Sequence, residues 1–167
     1  MRINILLVEN GVKESMEIDE LVRLDAYGDV MNGFLVSEPV AVSGQVRNAA
    51  QSLPVSLQCK AQVDTVCARC AKEIRVPVAF HINSFAVKEE DVDPASDFDV
   101  IPVHDHDIDL GEIVWEQLLL HMDISYLCGP GCKGLCPTCG KDLNEGGCTC
   151  LEEAGDARLA VLKNFLQ

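Results

Sequence analysis

Positive charge is scarce in this 167-residue chain: 13 Lys and Arg stand against 27 Asp and Glu, for a net charge of −14. That balance disfavours indiscriminate capture of RNA, DNA or anionic lipid by the whole surface, and it makes a basic protein the easier partner. A nucleic-acid contact would need a local basic patch. Long apolar runs are absent as well. The best window, IVWEQLLL, is broken by Glu116 and Gln117, far short of the roughly 18 apolar residues that a membrane span needs. The opening MRINILLVENG lacks the h-region and cleavage site of a signal peptide. No membrane partner is expected, and the expected location is the cytoplasm, where thiols stay reduced and disulfides are rare. No acid–base pair, no nucleophile with a base and no Gly-Lys-Ser/Thr phosphate loop stands out. Neither catalytic residues nor a small-molecule substrate is therefore expected.

Apolar residues are plentiful, at 48%, enough for a real core without covalent staples. The expected fold class is α+β: an antiparallel β meander, one capped helix, and a cysteine-rich zinc-knuckle segment ending in a short helix. Two parts are expected, a mainly β domain over 1–127 with an acidic loop and one helix, and a cysteine-rich tail over 128–167 with a terminal helix.

Residues 1–32 resist assignment, although INILLV could open as a strand. Three strands follow. Val36, Val40, Val42 and Val46 recur at even spacing, Val55, Leu57, Cys59, Ala61 and Val63 alternate strictly, and Ile74, Val76, Val78 and Phe80 continue the pattern. Period two marks a half-buried strand. Pro77 points to an edge. Residues 88–109 are dominated by Asp and Glu and read as a solvated loop, with DVIPV as one short strand. Over 109–122, Asp109 can cap a helix with Glu112 three places on, and Leu110, Ile113, Val114, Leu118 and His121 recur at helical spacing. GDARLAVLKNFLQ reads as a short amphipathic helix.

Nine cysteines are present, and six of them crowd into residues 128–150. Cys59 belongs to the inward face of a strand. The other eight form pairs: Cys67/Cys70, Cys128/Cys132, Cys136/Cys139 and Cys148/Cys150. Two thiolates so spaced can both reach one ion, and the turn between them aims backbone N–H groups at sulfur. Cys136, Cys139, Cys148 and Cys150 form the first expected site. There Pro137 presets the turn and Gly140 tolerates the positive φ that follows a second ligand. Cys67, Cys70, Cys128 and Cys132 form the second, which would clip the tail to the sheet. A rival reading gives the tail one ion and leaves Cys67 and Cys70 free or redox-active. Zinc, one or two ions, is the expected cofactor, with an iron–sulfur cluster as the alternative. All-cysteine pairs predict closed structural sites. The stretch from Asp105 to Glu116 nearly matches a calcium loop, but its glycine is one place late. His104 and His106 read better as a polar loop, and His121 as a core-edge residue.

The phrases Cys67-Ala-Arg69-Cys70, CKGLCPTCGKDLN, Cys148-x-Cys150 and Asp156-Ala157-Arg158-Leu159-Ala160 together resemble the YceD family, the large ribosomal RNA subunit accumulation proteins, over roughly 33–166. Ala157 stands where the family has proline, and His121-Met122 replaces its leucine–proline. Neither change touches a ligand. The resemblance implies a non-enzymatic factor that supports accumulation and processing of large-subunit (23S) ribosomal RNA, with a ribosomal protein or large-subunit assembly factor as partner. It also implies that Cys67, Cys70, Cys128 and Cys132 act as one unit. Arg69, Lys72, Arg75, Lys133 and Lys141 flank the cysteines in sequence and are the candidate RNA or partner contacts. The competing functions are an iron–sulfur or thiol redox protein, and a zinc-ribbon subunit of a transcription or translation complex.

Overall fold

The structure, a computed structural model, describes residues 1–24, 33–50, 52–92 and 100–150. The helix expected over GDARLAVLKNFLQ lies outside these residues. The architecture is mixed α+β, with strands predominating.

The spine is a long hairpin. β4 (Leu53–Val66) and β5 (Glu73–Lys88) pair antiparallel from Leu53↔Ala86 to Val66↔Glu73. Alternation decides which face is buried. Val55, Leu57, Cys59, Ala61 and Val63 of β4 meet Val78, Phe80, Ile82 and Ala86 of β5 in the core. Polar residues alternate outward, and Ser56 Oγ donates to Asn83 Oδ1 at 2.8 Å on the solvent face. An antiparallel sheet with one wet face has this pattern.

β3 (Val40–Arg47) extends the sheet beside β4, burying Val40, Val42 and Val46. Its Gly44 is forced: a Cβ there would lie 2.1 Å from the Ser56 carbonyl oxygen. β2 (Ser15–Val22) follows at the edge, paired to β3. It buries Ile18 and Val22, but Glu20, which falls between them in the alternation and is exposed, breaks the apolar stripe and hides the strand in the sequence.

The three-strand meander expected over 33–88 appears as β3, β4 and β5, the unassigned β2 adds an antiparallel edge, and β6 (Val100–Val103) runs parallel to β5 along Phe85–Lys88. The order is β2-β3-β4-β5-β6. Pro77, with no N–H to give, sits where β5 has no second neighbour strand among the described residues. The edge reading of Pro77 is correct in that local sense.

INILLV divides between two elements. β1 (Arg2–Asn4) is extended and pairs with β7 (Asp107–Asp109), and the chain then winds into the short helix α1 (Leu6–Glu9). The Asn4 side-chain oxygen accepts from the Leu6 N–H, turning the chain. Asn48 Nδ2 donates to the Val8 carbonyl at 2.7 Å and pins α1 to the sheet.

α2 (Leu110–His121) covers the apolar face with Leu110, Ile113, Val114 and Leu118. Asp109 caps it, its Oδ1 accepting from the N–H of Gly111 and Glu112 at 3.0 and 3.4 Å. His121 stacks on Phe80 with ring centroids 5.2 Å apart and gives the core-edge contact expected of it. No helix among the described residues is long and apolar enough to cross a membrane.

Candidate metal centres

The first cysteine pair sits at the tip of the β4–β5 hairpin. Cys67 N–H donates to the Lys72 carbonyl at 2.8 Å, and Ala71 N–H donates to the Cys67 carbonyl at 2.9 Å. Ala71 takes a φ of +57°. This turn points several N–H groups inward, toward the Cys67 sulfur. Arg69 N–H donates to Cys67 Sγ at 3.5 Å. The segment after α2 docks onto the tip: Ala68 N–H donates to the Tyr126 carbonyl at 2.9 Å, and Tyr126 packs edge-on against Phe34. That docking delivers Cys128 and Cys132. The Cys67 and Cys132 sulfurs stand 3.8 Å apart, and those of Cys70 and Cys128 stand 3.7 Å apart.

The second group repeats the turn. Cys136 N–H donates to the Lys141 carbonyl at 2.8 Å, Gly140 N–H donates to the Cys136 carbonyl at 2.9 Å, and Gly140 has a φ of +72°. CARCAK and CPTCGK are thus one local structure used twice. Cys148 and Cys150 complete the second group, with the Cys136 and Cys148 sulfurs 3.4 Å apart.

Within each group of four, all sulfurs lie within 4.8 Å of one another. Thiolates held at about 2.3 Å by one tetrahedral ion stand about 3.8 Å apart. The sulfur spacings therefore match the edges of a single-ion tetrahedron. They are far from the S–S bond of about 2.05 Å in a disulfide.

The protonation pattern points the same way. The backbone N–H of Cys128, and then that of Cys70, hold the Cys67 thiol down to about 6. The N–H of Cys139 and Thr138 do the same for Cys136, also to about 6. Cys128 is pushed up to about 12 by the sulfurs of Cys132 and Cys70, and Cys150 to about 12 by that of Cys139. In each group one thiol is thus favoured as thiolate by N–H groups and another is held protonated by neighbouring sulfurs. Cys59 differs: burial alone lifts its thiol to about 11, as suits a core side chain.

The flanking cations are distributed unevenly. Arg69 Nη1 donates to the Cys132 carbonyl at 3.0 Å and braces the clip. Lys141 Nζ donates to the Gly147 carbonyl at 3.0 Å across the second group. Arg75 lies on the sheet face in ion pairs with Asp64 at 2.6 Å and Glu38 at 2.5 Å. Lys72 and Lys133 are exposed. His104 and His106 face Glu89 and Glu9. Sequence reasoning passed over Asn144, whose amide reaches from the second group to Cys132 in the first. Its only signal is its place in the phrase CPTCGKDLN.

These features define a small α+β protein bearing two four-cysteine cages of single-ion size. The sequence profile of the family described as "Large ribosomal RNA subunit accumulation protein YceD" matches residues 55–166, and the chain belongs to that family. Among curated relatives, a Zea mays protein named "Large ribosomal RNA subunit accumulation protein YCED homolog 1, chloroplastic" is 40% identical over 50 residues, covering 29% of this chain and 17% of its own. Uncharacterized proteins of Mycobacterium bovis and Mycobacterium tuberculosis are 34% identical over 79 residues, covering 46% of this chain and 38% of theirs. The chain thus spans well under half the length of these relatives. No solved structure matches it.

Proposed function

We propose that this chain is a non-enzymatic, zinc-binding accessory factor that supports accumulation and processing of large-subunit (23S) ribosomal RNA in the cytoplasm. Family membership supplies the process. The observation that carries the metal reading is the pair of sulfur separations in the clip, 3.8 and 3.7 Å, across chain segments far apart in sequence. Cys67, Cys70, Cys128 and Cys132 would hold one zinc ion, and Cys136, Cys139, Cys148 and Cys150 the other. Zinc supplies structural cross-linking here, since four thiolates leave no open coordination position for a substrate. A multi-iron cluster carries its own sulfides and spreads its thiolates wider than one ion does, so sulfurs all within 4.8 Å favour a single ion over the iron–sulfur alternative.

The partner that suits this surface is a basic protein of the large subunit. Four thiolates on a divalent ion leave a net charge of −2, so the loaded metal end is far less basic than its lysines suggest. Arg69, Arg75 and Lys141 already serve internal partners. Lys72 and Lys133 remain as candidate RNA contacts. The test is depletion of the protein in its host, with large-subunit ribosomal RNA quantified before and after rescue by the wild-type chain or by Cys67→Ser/Cys70→Ser. Loss of the RNA, restored by wild type alone, is the expected result. Unchanged RNA on depletion overturns the reading.

A further inference from the structure

We propose that Asn144 couples the two cages into one metal-loading unit, carrying the order of the second cage to the Cys132 sulfur of the clip. The inference rests on the reading of both cysteine groups as zinc sites. Asn144 lies between the ligands Cys139 and Cys148, so the conformation of that short loop decides where its amide stands. Both ends of the amide are used. Oδ1 accepts from the Lys133 N–H at 2.8 Å, and Nδ2 donates to Cys132 Sγ at 3.5 Å. The other Nδ2 proton goes to Asp142 Oδ1 at 2.6 Å, and the same oxygen accepts from the Asn144 backbone N–H at 2.8 Å. The amide is thereby tethered within its own loop and aimed at the other cage.

The backbone between the cages is equally tight. Leu143 N–H donates to the Gly134 carbonyl at 2.9 Å, and Leu135 N–H donates to the Arg69 carbonyl at 3.1 Å. A Cβ on Gly134 would stand 3.1 Å from that Arg69 oxygen, at a φ of +77°. These bonds tie the loop that carries Asn144 to the segment that carries Cys132, and that segment to the hairpin tip.

An N–H directed at a ligating sulfur draws off part of the thiolate charge, and removing such a partner typically weakens metal binding about 10–100-fold. Filling the second cage orders the loop, which presents Nδ2 to Cys132 and tightens the clip. By linkage, filling the clip tightens the second cage equally. The second cage closes only a short loop, whereas the clip joins Cys67 to Cys132 across most of the fold. Closure of the short loop costs less, so the second cage loads first.

Cadmium-113 NMR on the full chain resolves the two cages, with Cys67→Ser/Cys70→Ser and Cys139→Ser/Cys150→Ser assigning the signals, and zinc competition against a chromophoric chelator gives affinities. Asn144→Ala is expected to weaken the clip at least about tenfold and to shift its cadmium resonance. Asn144→Asp, which keeps an oxygen for the Lys133 N–H but has no N–H to donate, should do the same. Cys139→Ser/Cys150→Ser should weaken the clip similarly, and adding Asn144→Ala to it should cost nothing further. Unchanged clip affinity and resonance in both Asn144 variants overturns the coupling, as does an equal Asn144 effect with and without the second cage. A wild-type chain that binds neither zinc nor cadmium overturns the metal reading itself, and the coupling with it.

Discussion

CARCAK and CPTCGK make the same turn with the same three backbone features, yet they sit in opposite settings. The first is mounted on a 14-residue-long pair of strands and completed by a segment that arrives after α2. The second is completed by its own loop. In both places backbone N–H groups hold a sulfur's pKa down to about 6: the turn supplies them at Cys136, whereas at Cys67 the first comes from Cys128 and the next from Cys70 in the turn. What differs is the consequence of losing the ion. In the clip an ion would staple distant segments, and in the second cage it would order a loop.

The largest expected effect tests that difference. Cys67→Ser/Cys70→Ser should lower native-mass zinc content from two ions to one and reduce unfolding free energy by at least about 4 kcal/mol, because a long-range cross-link is lost. Cys139→Ser/Cys150→Ser should also remove one ion from the second cage, but with a smaller loss in denaturant melts. Equal losses would break the distinction between staple and loop.

A titration from low to high pH probes the shared part. With metal stripped, thiolate absorbance near 240 nm should rise by two equivalents around pH 6, one from Cys67 and one from Cys136, while Cys128 and Cys150 stay protonated until about pH 12. The signs differ between these groups. A depressed thiol stabilises the metal-free fold fully only above its unfolded value near 9, and that contribution fades as pH falls toward 6. The raised thiols contribute below 9 and lose that contribution as pH climbs toward 12. Cys67→Ser and Cys136→Ser should each delete one equivalent of the low step.

A smaller effect separates the turns at one position. Ala71 and Gly140 occupy equivalent left-handed conformations, at φ +57° and +72°. Nothing lies within 4 Å of a Cβ built on Gly140, so Gly140→Ala should cost only the backbone term, about 1 kcal/mol in thermal melts. Ala71→Gly should gain up to about that much, less the entropy of a freer unfolded chain. Smallest of all, Lys72→Ala and Lys133→Ala should change stability by less than about 0.5 kcal/mol. Any measured loss of RNA binding in these variants would then report contact rather than folding.

Much of this was legible in the sequence. Strict alternation along 55–63 marked β4, the spacing from Leu110 to Leu118 marked α2, and Asp109 declared itself as a cap because few other residues can accept the first free N–H groups. The cysteines could be sorted into pairs by their short spacing, and the fold gathers the sulfurs into two groups of four. What escaped did so for physical reasons. β2 has the exposed Glu20 at the alternating position between the buried Ile18 and Val22. INILLV has one polar residue, Asn4, in an apolar run too short to show a period. β6 runs parallel to β5, and strand direction leaves no trace in composition. CARCAK and CPTCGK share their cysteines and final lysine, but the left-handed turn they also share is hidden, because alanine stands in one where glycine stands in the other. Arg75 adjoins the cysteines in sequence, but the register opposite Asp64 binds it to carboxylates on the sheet. Asn144 needed the fold to bring its amide beside Cys132.

The strict register of β4 against β5 limits how the height of the clip can vary. Lengthening each strand by one residue would raise Cys67 and Cys70 by about 3.4 Å and swing them to the opposite side of the sheet, away from the segment that brings Cys128 and Cys132. Two residues in each strand would restore the facing but lift the turn about 7 Å, beyond reach of that segment. The length of the stalk beneath Cys67 and Cys70 is thus fixed by the segment that must meet them.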